Sequence, residues 1–330
     1  MCSVNVLGIE STAHTFSVGI VNSEARVISL ANSTYRPKQG GIHPREAAQH
    51  HATTGPQMVE IALKDSKLDT QDIDLVAFSQ GPGLGPCLRT GATMARALSL
   101  ELDVPLVGVN HCVAHLEVGR GFTRAKDPVL LYVSGGNTQV IAFNHGRYRV
   151  MGETLDIGLG NMLDKFGREI GLPFPAGPVL ETEAKRAKKF VELPYSVKGM
   201  DVAFSGILTA ALNLHTRGES VQDLSHSLQE TCFAMLAEVA ERAMAHLQND
   251  ELLLGGGVVM NGRLREMMNI MTTERGAKMY VPEGRLCVDN GAMIAWTGLV
   301  MHRNGGVVTN VEDSAIDQRM RTDDVDVTWR

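Results

Sequence analysis

Two histidines four residues apart are the clearest candidates for metal chemistry in this chain. His111 and His115 stand in the run His-Cys-Val-Ala-His, and side chains at i and i+4 lie on the same face of a helix. Two imidazoles on one helical face commonly bind a single metal ion. A zinc protease of this type also needs a glutamate directly after the first histidine. Cys112 occupies that position, and an isolated pair is more often incidental, so further ligands must come from elsewhere.

The composition is typical of an intracellular globular protein. The 330 residues, 44% of them hydrophobic, suffice for two domains. The five cysteines are scattered without a C-x-x-C pair, which disfavours a disulfide framework or a thiolate zinc site. Without a leader pattern or a long apolar stretch, we expect a cytoplasmic protein that does not enter the membrane. The net charge of -6 disfavours strong nucleic-acid binding by this chain alone, because such binding depends on Lys and Arg that neutralise phosphates. If nucleic acid is a substrate, we expect a partner to contribute part of the affinity.

The chain contains an internal duplication. The segment 4–31 predicts a three-stranded meander with a polar loop at 10–15, and the same order recurs over 129–152 with a loop at 134–138. Two further pairs of blocks match, each a strand followed by a turn and a helix: 72–78 with 250–254, and 104–109 with 278–281. Three pairs in the same order predict an α/β fold built from two related halves.

The duplication makes Asp289 the candidate third ligand. His111 and Asp289 occupy equivalent positions in this alignment of the halves, and such positions approach each other across a cleft. His111, His115 and Asp289, from opposite walls, would form a metal site with positions left open for substrate. Capping of the following helix is the alternative role of Asp289, and it is compatible with ligation.

Nine separated motifs carry a resemblance to a known family. They are VLGIEST (6–12), GGIHPREAAQHH (40–51), QGPGLGPCLRTG (80–91), VNHCVAH (109–115), LYVSGGNTQ (131–139), NMLDKFGREIGLPFPAGPVLE (161–181), FSGILTA (204–210), GGGVVMNGRLRE (255–266) and CVDNGAMIAW (287–296). Over essentially its whole length the chain resembles the TsaD family of tRNA threonylcarbamoyladenosine transferases, in its archaeal and eukaryotic KEOPS form.

The resemblance implies an actin-like, sugar-kinase-like (ASKHA) α/β fold: two duplicated ribonuclease-H-like domains that face each other across a cleft, with helical insertions. We expect the first domain at 1–117, with the segment 300–330 packed back on it. The second domain is expected at 118–299, with a helical insertion at about 155–248.

The resemblance also implies a reaction and a metal. A threonylcarbamoyl group passes from threonylcarbamoyl-adenylate to the exocyclic amine of the adenosine 3′ of the anticodon, in tRNAs that read ANN codons, and AMP is released. His111, His115 and Asp289, with Tyr132 as an additional ligand, would bind one divalent ion per chain. Fe²⁺ is favoured and Zn²⁺ is the alternative, with the ion acting as Lewis acid and template.

The adenylate-binding residues of the family correspond to a second set. They are Tyr132, Val133, Ser134, Gly135, Gly136, Asp164, Gly177, Glu181 and Asn261. Glycines in such a turn let backbone N–H groups approach a phosphate, and carboxylates accept from ribose hydroxyls. ATP and AMP analogues are expected to fit the same pocket. Hairpin-turn glycines, solvated helix carboxylates and a helix cap at Asn261 are the alternative roles of these residues.

Two residues are candidate general bases. Bacterial relatives carry an acidic pair after the first loop, where this chain has His14 and Thr15, so His14 is a candidate in its place and Glu10 is another. Cys112 and Cys287 flank the metal site, and we expect both to be small buried residues.

The resemblance implies tRNA and the other KEOPS subunits as partners. These are a small atypical kinase or ATPase, separate or fused to this chain, a small dimerising subunit and a kinase-binding subunit. The basic run 184–189, on a predicted helix, either touches tRNA or forms a solvated helix face, which composition favours. The helical stretch 225–247 is predicted to pack in the core.

Three other functions compete with this one. A metalloprotease is disfavoured by Cys112, and a sugar-kinase-like phosphotransferase by the absence of an acidic residue in the loop 134–137. A non-catalytic nucleotide-sensing scaffold would use the same pocket and stays open at the level of sequence.

Overall fold

The computed structural model describes residues 3–37, 41–305 and 309–330, so Cys2 and Gly40 lie outside the described residues. The strands are β1 (Asn5–Glu10), β2 (Thr15–Asn22), β3 (Arg26–Thr34), β4 (Leu75–Gly81), β5 (Leu106–Asn110), β6 (Val129–Val133), β7 (Thr138–Asn144), β8 (Arg147–Glu153), β9 (Val197–Lys198), β10 (Asp201–Val202), β11 (Glu251–Gly255) and β12 (Lys278–Tyr280). The helices are α1 (Pro44–Ser66), α2 (Gly85–Leu102), α3 (His111–Phe122), α4 (Leu159–Glu169), α5 (Gly177–Ala184), α6 (Ser205–Thr216), α7 (Val221–Leu247), α8 (Gly262–Glu274), α9 (Gly284–Cys287) and α10 (Gly291–Gly305). Each predicted repeat strand has a counterpart among them.

Two five-stranded sheets share one topology. The strand order is β3-β2-β1-β4-β5 in the first sheet and β8-β7-β6-β11-β12 in the second. In each sheet the first strand pairs antiparallel with its successor, as β1 with β2 and β6 with β7. It also pairs parallel with the strand of the next block, as β1 with β4 and β6 with β11. The repeat that is visible in the sequence is therefore a repeat of sheet topology.

The chain divides into two compact units. The first unit comprises Met1–Phe122, Asn144–Tyr148 and Val288–Arg330, and the second comprises Thr123–Phe143 and Arg149–Cys287. The expected domains assigned 288–299 to the second half, whereas α10 packs on β1 and β2 of the first sheet. A Cβ at Gly8 would lie 2.3 Å from the backbone nitrogen of Ala295, and one at Gly19 equally close to that of Ala292. Two glycines facing α10 thus let the helix backbone touch the sheet, which decides where this segment packs.

The second unit carries the predicted helical insertion. Helices α4 to α7 fill it, together with the two-stranded sheet of β9 and β10. Buried side chains recur along α7 at helical spacing, among them Leu228, Phe233, Leu236 and Val239. The prediction that this stretch is a core helix is confirmed. Across the described ranges, the helices are too short or too polar to cross a membrane.

The prediction that the basic run 184–189 lies on a helix is wrong. Helix α5 ends at Ala184, after which backbone bonds from Arg186 to Glu183 and from Ala187 to Ala184 form turns. The following backbone is held by Asp223, near the start of α7, whose Oδ1 accepts from the N–H groups of Lys188 (2.7 Å) and Lys189 (3.1 Å). Sequence composition favours helix here, but this tertiary contact outweighs it.

Candidate functional site

The two histidines lie in the first turns of α3. Asn110, the last residue of β5, accepts from the backbone N–H groups of Cys112 (3.0 Å) and Val113 (3.1 Å), and so caps the helix. The side chains of His111 and His115 are 4% and 1% exposed. Their ring centroids lie 4.9 Å apart with the planes nearly perpendicular. The predicted helical spacing therefore does bring both imidazoles together, in a buried position.

Asp289 lies in the loop before α10 and joins the two histidines as a third candidate metal ligand. Its Oδ1 lies 3.4 Å from Nε2 of His111 and 3.3 Å from Nε2 of His115. One ligand atom from each residue fits within 4.8 Å of the others, which is the arrangement of a candidate metal site. A 2.8 Å hydrogen bond from the Gly291 N–H to Oγ of Ser17 in β2 holds the start of α10 on the first sheet.

The expectation that these ligands come from opposite walls of a cleft is wrong. His111, His115 and Asp289 all belong to the first unit. Their supposed equivalence is also wrong, because Oδ1 of Asn290 accepts from the N–H of Met293 at 2.9 Å. Asn290 thus caps α10 as Asn110 caps α3, and the caps are the equivalent positions. Asp289 is not the cap, and its carboxylate is directed at the histidines instead.

Glu10 is a residue of this site whose role the sequence did not reveal. It ends β1, is fully buried, and its Oε2 lies 2.9 Å from Nδ1 of His111. Its Oε1 accepts from the backbone N–H of Thr12 at 2.7 Å and from the Thr12 hydroxyl. A carboxylate at Nδ1 holds the proton there and leaves the Nε2 lone pair for a metal. This geometry suits Glu10 to positioning His111, and a role of Glu10 as general base stays a prediction.

The electrostatics of the group favour ligation. Burial lowers the pKa of His115, against the opposing hydrogen bond to Asp289, so the imidazole is neutral as a metal ligand must be. Burial alone would raise the pKa of Asp289, but His111 and His115 hold it well below its ordinary value. The site therefore presents a neutral imidazole at His115 and an ionised carboxylate at Asp289.

The cysteines and His14 have other surroundings. Burial raises the pKa of Cys112, and it raises that of Cys287 to about 11, where the thiol also donates to the carbonyl of Pro282. Both are buried thiols, as expected. The carbonyl of His14 accepts from the N–H of Tyr35, and its buried Nδ1 has no hydrogen-bond partner within the described ranges.

The second unit holds the candidate adenylate residues in two linked groups. The first group, at the carboxyl end of β6, contains Tyr132, Val133, Ser134, Gly135 and Gly136. Tyr132 is 1% exposed and pairs with Gly255 of the parallel strand β11, so this turn and the glycine run 255–257 leave the sheet side by side.

The turn after β6 is fastened to α4. The N–H of Ser134 donates to the carbonyl of Asn137 at 2.8 Å, which closes the turn. The carbonyls of Ser134 and Gly135 accept from the N–H groups of Gly160 (3.1 Å) and Asn161 (2.9 Å). A Cβ at Gly136 would meet nothing within 4 Å. The turn is thus rigid on its helix side and open at Gly136.

The second group is joined by a chain of hydrogen bonds between helices. Asp164 Oδ1 in α4 accepts from the N–H of Ala176, directly before Gly177, at 2.7 Å. Glu181 Oε1 in α5 accepts from the N–H of Gly262 at 2.9 Å. Asn261 caps α8 through Oδ1, and its Nδ2 donates to Gln229 of α7 at 2.6 Å. Each of these polar residues thus has a local structural task, and for Asn261 it is the cap that the sequence allowed.

Comparison with known proteins identifies the family that shares these features. The sequence profile of TsaD, described as tRNA N6-adenosine threonylcarbamoyltransferase, matches residues 26–296. A protein of Methanosarcina acetivorans, named a probable bifunctional tRNA threonylcarbamoyladenosine biosynthesis protein, is 57% identical over 98% of this chain and 59% of its own length. Proteins named tRNA N6-adenosine threonylcarbamoyltransferase are 57% identical in Methanococcoides burtonii and 54% identical in Thermococcus kodakarensis, over 98% of this chain and 97% and 99% of theirs. The chain therefore spans about three fifths of the bifunctional relatives.

Solved structures agree on the fold. HypF in its phosphate- and nucleotide-bound form matches with a TM-score of 0.62 at 12% identity, over 90% of this chain and 46% of that one. Component A of the (R)-2-hydroxyglutaryl-CoA dehydratase of Acidaminococcus fermentans matches with a TM-score of 0.57 at 12% identity, over 89% and 97%. With the repeated sheet topology, these similarities confirm the predicted actin-like, sugar-kinase-like fold class.

Proposed function

Because the chain belongs to the TsaD family of tRNA N6-adenosine threonylcarbamoyltransferases, we propose that it transfers a threonylcarbamoyl group from threonylcarbamoyl-adenylate to tRNA. The acceptor is the exocyclic amine of the adenosine 3′ of the anticodon in tRNAs that read ANN codons. The amine nitrogen bonds to the carbamoyl carbon, the bond from that carbon to the phosphate oxygen breaks, and AMP leaves while the amine loses a proton. The observation that carries the proposal is the buried group of His111, His115 and Asp289.

The donor set of that group fits one divalent metal ion. Two imidazole nitrogens and one carboxylate oxygen suit Fe²⁺, our preferred ion, and equally Zn²⁺. Such an ion supplies Lewis acidity and an anchor for the threonylcarbamoyl group. Tyr132 is proposed as an additional ligand from the family resemblance.

The chain's own residues then have separate tasks. Glu10 keeps the proton of His111 on Nδ1, through the 2.9 Å contact. The turn 134–136 and the group Asp164, Gly177, Glu181 and Asn261 are proposed to bind the adenylate, on the strength of the open face at Gly136 and the rigid helix linkages. His14 is retained as the candidate general base.

The partners are proposed with the function. Relatives that match this chain over 59% or 60% of their own length are named bifunctional, which supports a kinase or ATPase partner that is fused to the transferase in some proteins. We propose that this chain works in a KEOPS-type assembly, with a small dimerising subunit and a kinase-binding subunit, in the cytoplasm.

The central test is transfer of labelled threonine and bicarbonate into tRNA by the reconstituted assembly. We expect His111→Ala to abolish metal binding and to reduce incorporation at least 100-fold, while the apo proteins unfold at similar temperatures. Full incorporation by a metal-free His111→Ala protein would refute the metal's role. Failure of the wild type to modify tRNA, with adenylate bound, would favour the nucleotide-sensing scaffold.

The adenylate pocket has its own test. A Cβ at Gly177 and one at Gly206 would each meet nothing within 4 Å, and both glycines lie at the start of a helix, α5 and α6 respectively. Gly177→Val should weaken AMP binding in a calorimetric titration by at least tenfold, because the new side chain occupies the space left for the ligand. Gly206→Val is the matched control and should bind AMP like the wild type. Equal AMP affinity in both variants would place the ligand elsewhere.

A further inference from the structure

A groove in the second unit combines exposed lysines with an exposed aromatic ring. It has a volume of about 670 Å³ and lies where the end of α5, the loop 185–190, α7 and the start of α8 meet. Phe190 is 55% exposed, which is unusual for a phenylalanine, and its ring meets His226 edge-on at 6.4 Å. The groove adjoins the proposed adenylate pocket, because Glu181 and its hydrogen-bond partner Gly262 border it.

The loop that carries these side chains is rigid. Besides the bonds from Asp223 to the N–H groups of Lys188 and Lys189, the N–H of Val191 donates to Oγ of Ser227 at 2.7 Å. These bonds hold the backbone of the loop, while the side chains of Lys185, Lys188 and Phe190 are exposed to solvent. The backbone of the loop is therefore preorganised, which lowers the conformational entropy lost on binding.

The charges of the groove are segregated. Four cations and three carboxylates line it, but two of the carboxylates, Glu230 and Glu266, are bound by Arg263 at 2.7 to 2.8 Å. Lys189 pairs with Glu219 at 2.8 Å. In the part of the chain that the structure describes, Lys185 and Lys188 have no ion-pair partner, so their charges are available to a ligand. The third carboxylate, Glu181, accepts from the N–H of Gly262 at 2.9 Å.

We propose that this groove binds an unpaired segment of the tRNA, with a base stacked on Phe190 and phosphates bound by Lys185 and Lys188. An aromatic platform beside lysines is the chemistry by which proteins hold single-stranded nucleic acid, since every base has a π-face and every linkage a phosphate. An acidic protein partner would satisfy the lysines but would leave the exposed ring without a planar partner. The inference rests on the proposed function, because that function makes tRNA the acceptor.

Equilibrium binding and transfer kinetics with the full chain in the reconstituted assembly test the inference. The probe is an unmodified tRNA transcript with adenosine 3′ of the anticodon. Phe190→Ala should weaken binding roughly 5- to 100-fold, as expected for a lost stacking contact, while Phe190→Trp should retain it. Lys185→Ala/Lys188→Ala should reduce the slope of log Kd against log salt concentration by about 1.5, as expected for two lost phosphate contacts. In transfer assays these losses should appear as a raised KM for tRNA with kcat unchanged.

The matched control is Lys64→Ala/Lys278→Ala, which removes the same charge from exposed lysines in α1 and β12 and should leave the salt slope unchanged. The inference would be overturned if the groove variants bound tRNA with the Kd and salt slope of the wild type. It would also be overturned if the substitutions released a partner subunit from the assembly but left the affinity for tRNA unchanged. Failure of the proposed function is distinguishable, because then the wild type itself would transfer nothing.

Discussion

Glu10→Gln is the sharpest test of how the site is built. The substitution keeps the size of a fully buried side chain but replaces one oxygen by an NH₂ group. The amide oxygen should stay with the N–H and hydroxyl donors of Thr12, which both bond to one carboxylate oxygen. The NH₂ group then faces Nδ1 of His111, across the 2.9 Å contact. His111 must move its proton to Nε2, the atom that faces Asp289, and that tautomer cannot bind a metal there.

The expected cost follows from this change of tautomer. Loss of a carboxylate that is hydrogen-bonded to a ligating histidine typically weakens metal binding 10- to 100-fold, which corresponds to about 1.4 to 2.7 kcal/mol. Competition against a chromogenic chelator, with Zn²⁺ or Co²⁺ as the probe, measures this affinity directly. In a double-mutant cycle that measures the residual incorporation into tRNA, Glu10→Gln should cause no further loss once His111 is Ala, because the two act as a unit.

Glu117→Gln is the control for loss of a buried carboxylate on α3. Glu117 binds Arg120, Tyr148 and, at 2.8 Å, the indole of Trp329, all without contact to Asp289. It should lower the unfolding temperature and change the metal Kd less than threefold. Unchanged metal affinity in a folded Glu10→Gln protein would refute the reasoning, and an equal loss in both variants would show general loosening of α3.

Three further outcomes are expected. Gly256→Ala should destabilise the protein by about 3 kcal/mol in chemical denaturation, because φ is +95° and the Cβ would lie 2.3 Å from the Val133 carbonyl oxygen. The control Gly257→Ala should cost far less, because a Cβ there meets nothing within 4 Å. Equal losses of unfolding free energy in the two variants would contradict this account of the packing. Burial lowers the pKa of His51 from 6.5 to about 4, so as the pH falls the unfolded chain takes up a proton there before the folded one. The free energy of unfolding should therefore fall by up to about 3 kcal/mol between pH 6.5 and 4. A His51→Gln protein with the same pH profile would exclude His51 as the cause. Asn110→Ala should cost about 1 to 2 kcal/mol of unfolding free energy through the lost cap of α3, and an unchanged denaturation midpoint would rule this out.

Much of the fold could be predicted from sequence because its signals are local. Alternation of apolar residues locates the strands, and their repeated order predicts the shared sheet topology. The i, i+4 spacing of His111 and His115 needs only a helix to bring the two rings together. The motifs predicted the family, which the comparisons confirm.

Contacts between distant segments decided the rest. Asp289 reaches the histidines because the bare backbone of Gly8 and Gly19 admits α10 to the first sheet, a match of surfaces that no pattern within either segment encodes. Glu10 acquires its task from a partner 101 residues away, and the basic run leaves the helical conformation because Asp223 binds its backbone. Local sequence patterns located the strands and the helix of the two histidines, and they singled out His111, His115 and Asp289 as ligand candidates. Only tertiary packing decided which unit holds the third ligand and which carboxylate sets the tautomer of His111, because both depend on atoms brought within 3 to 4 Å by the fold.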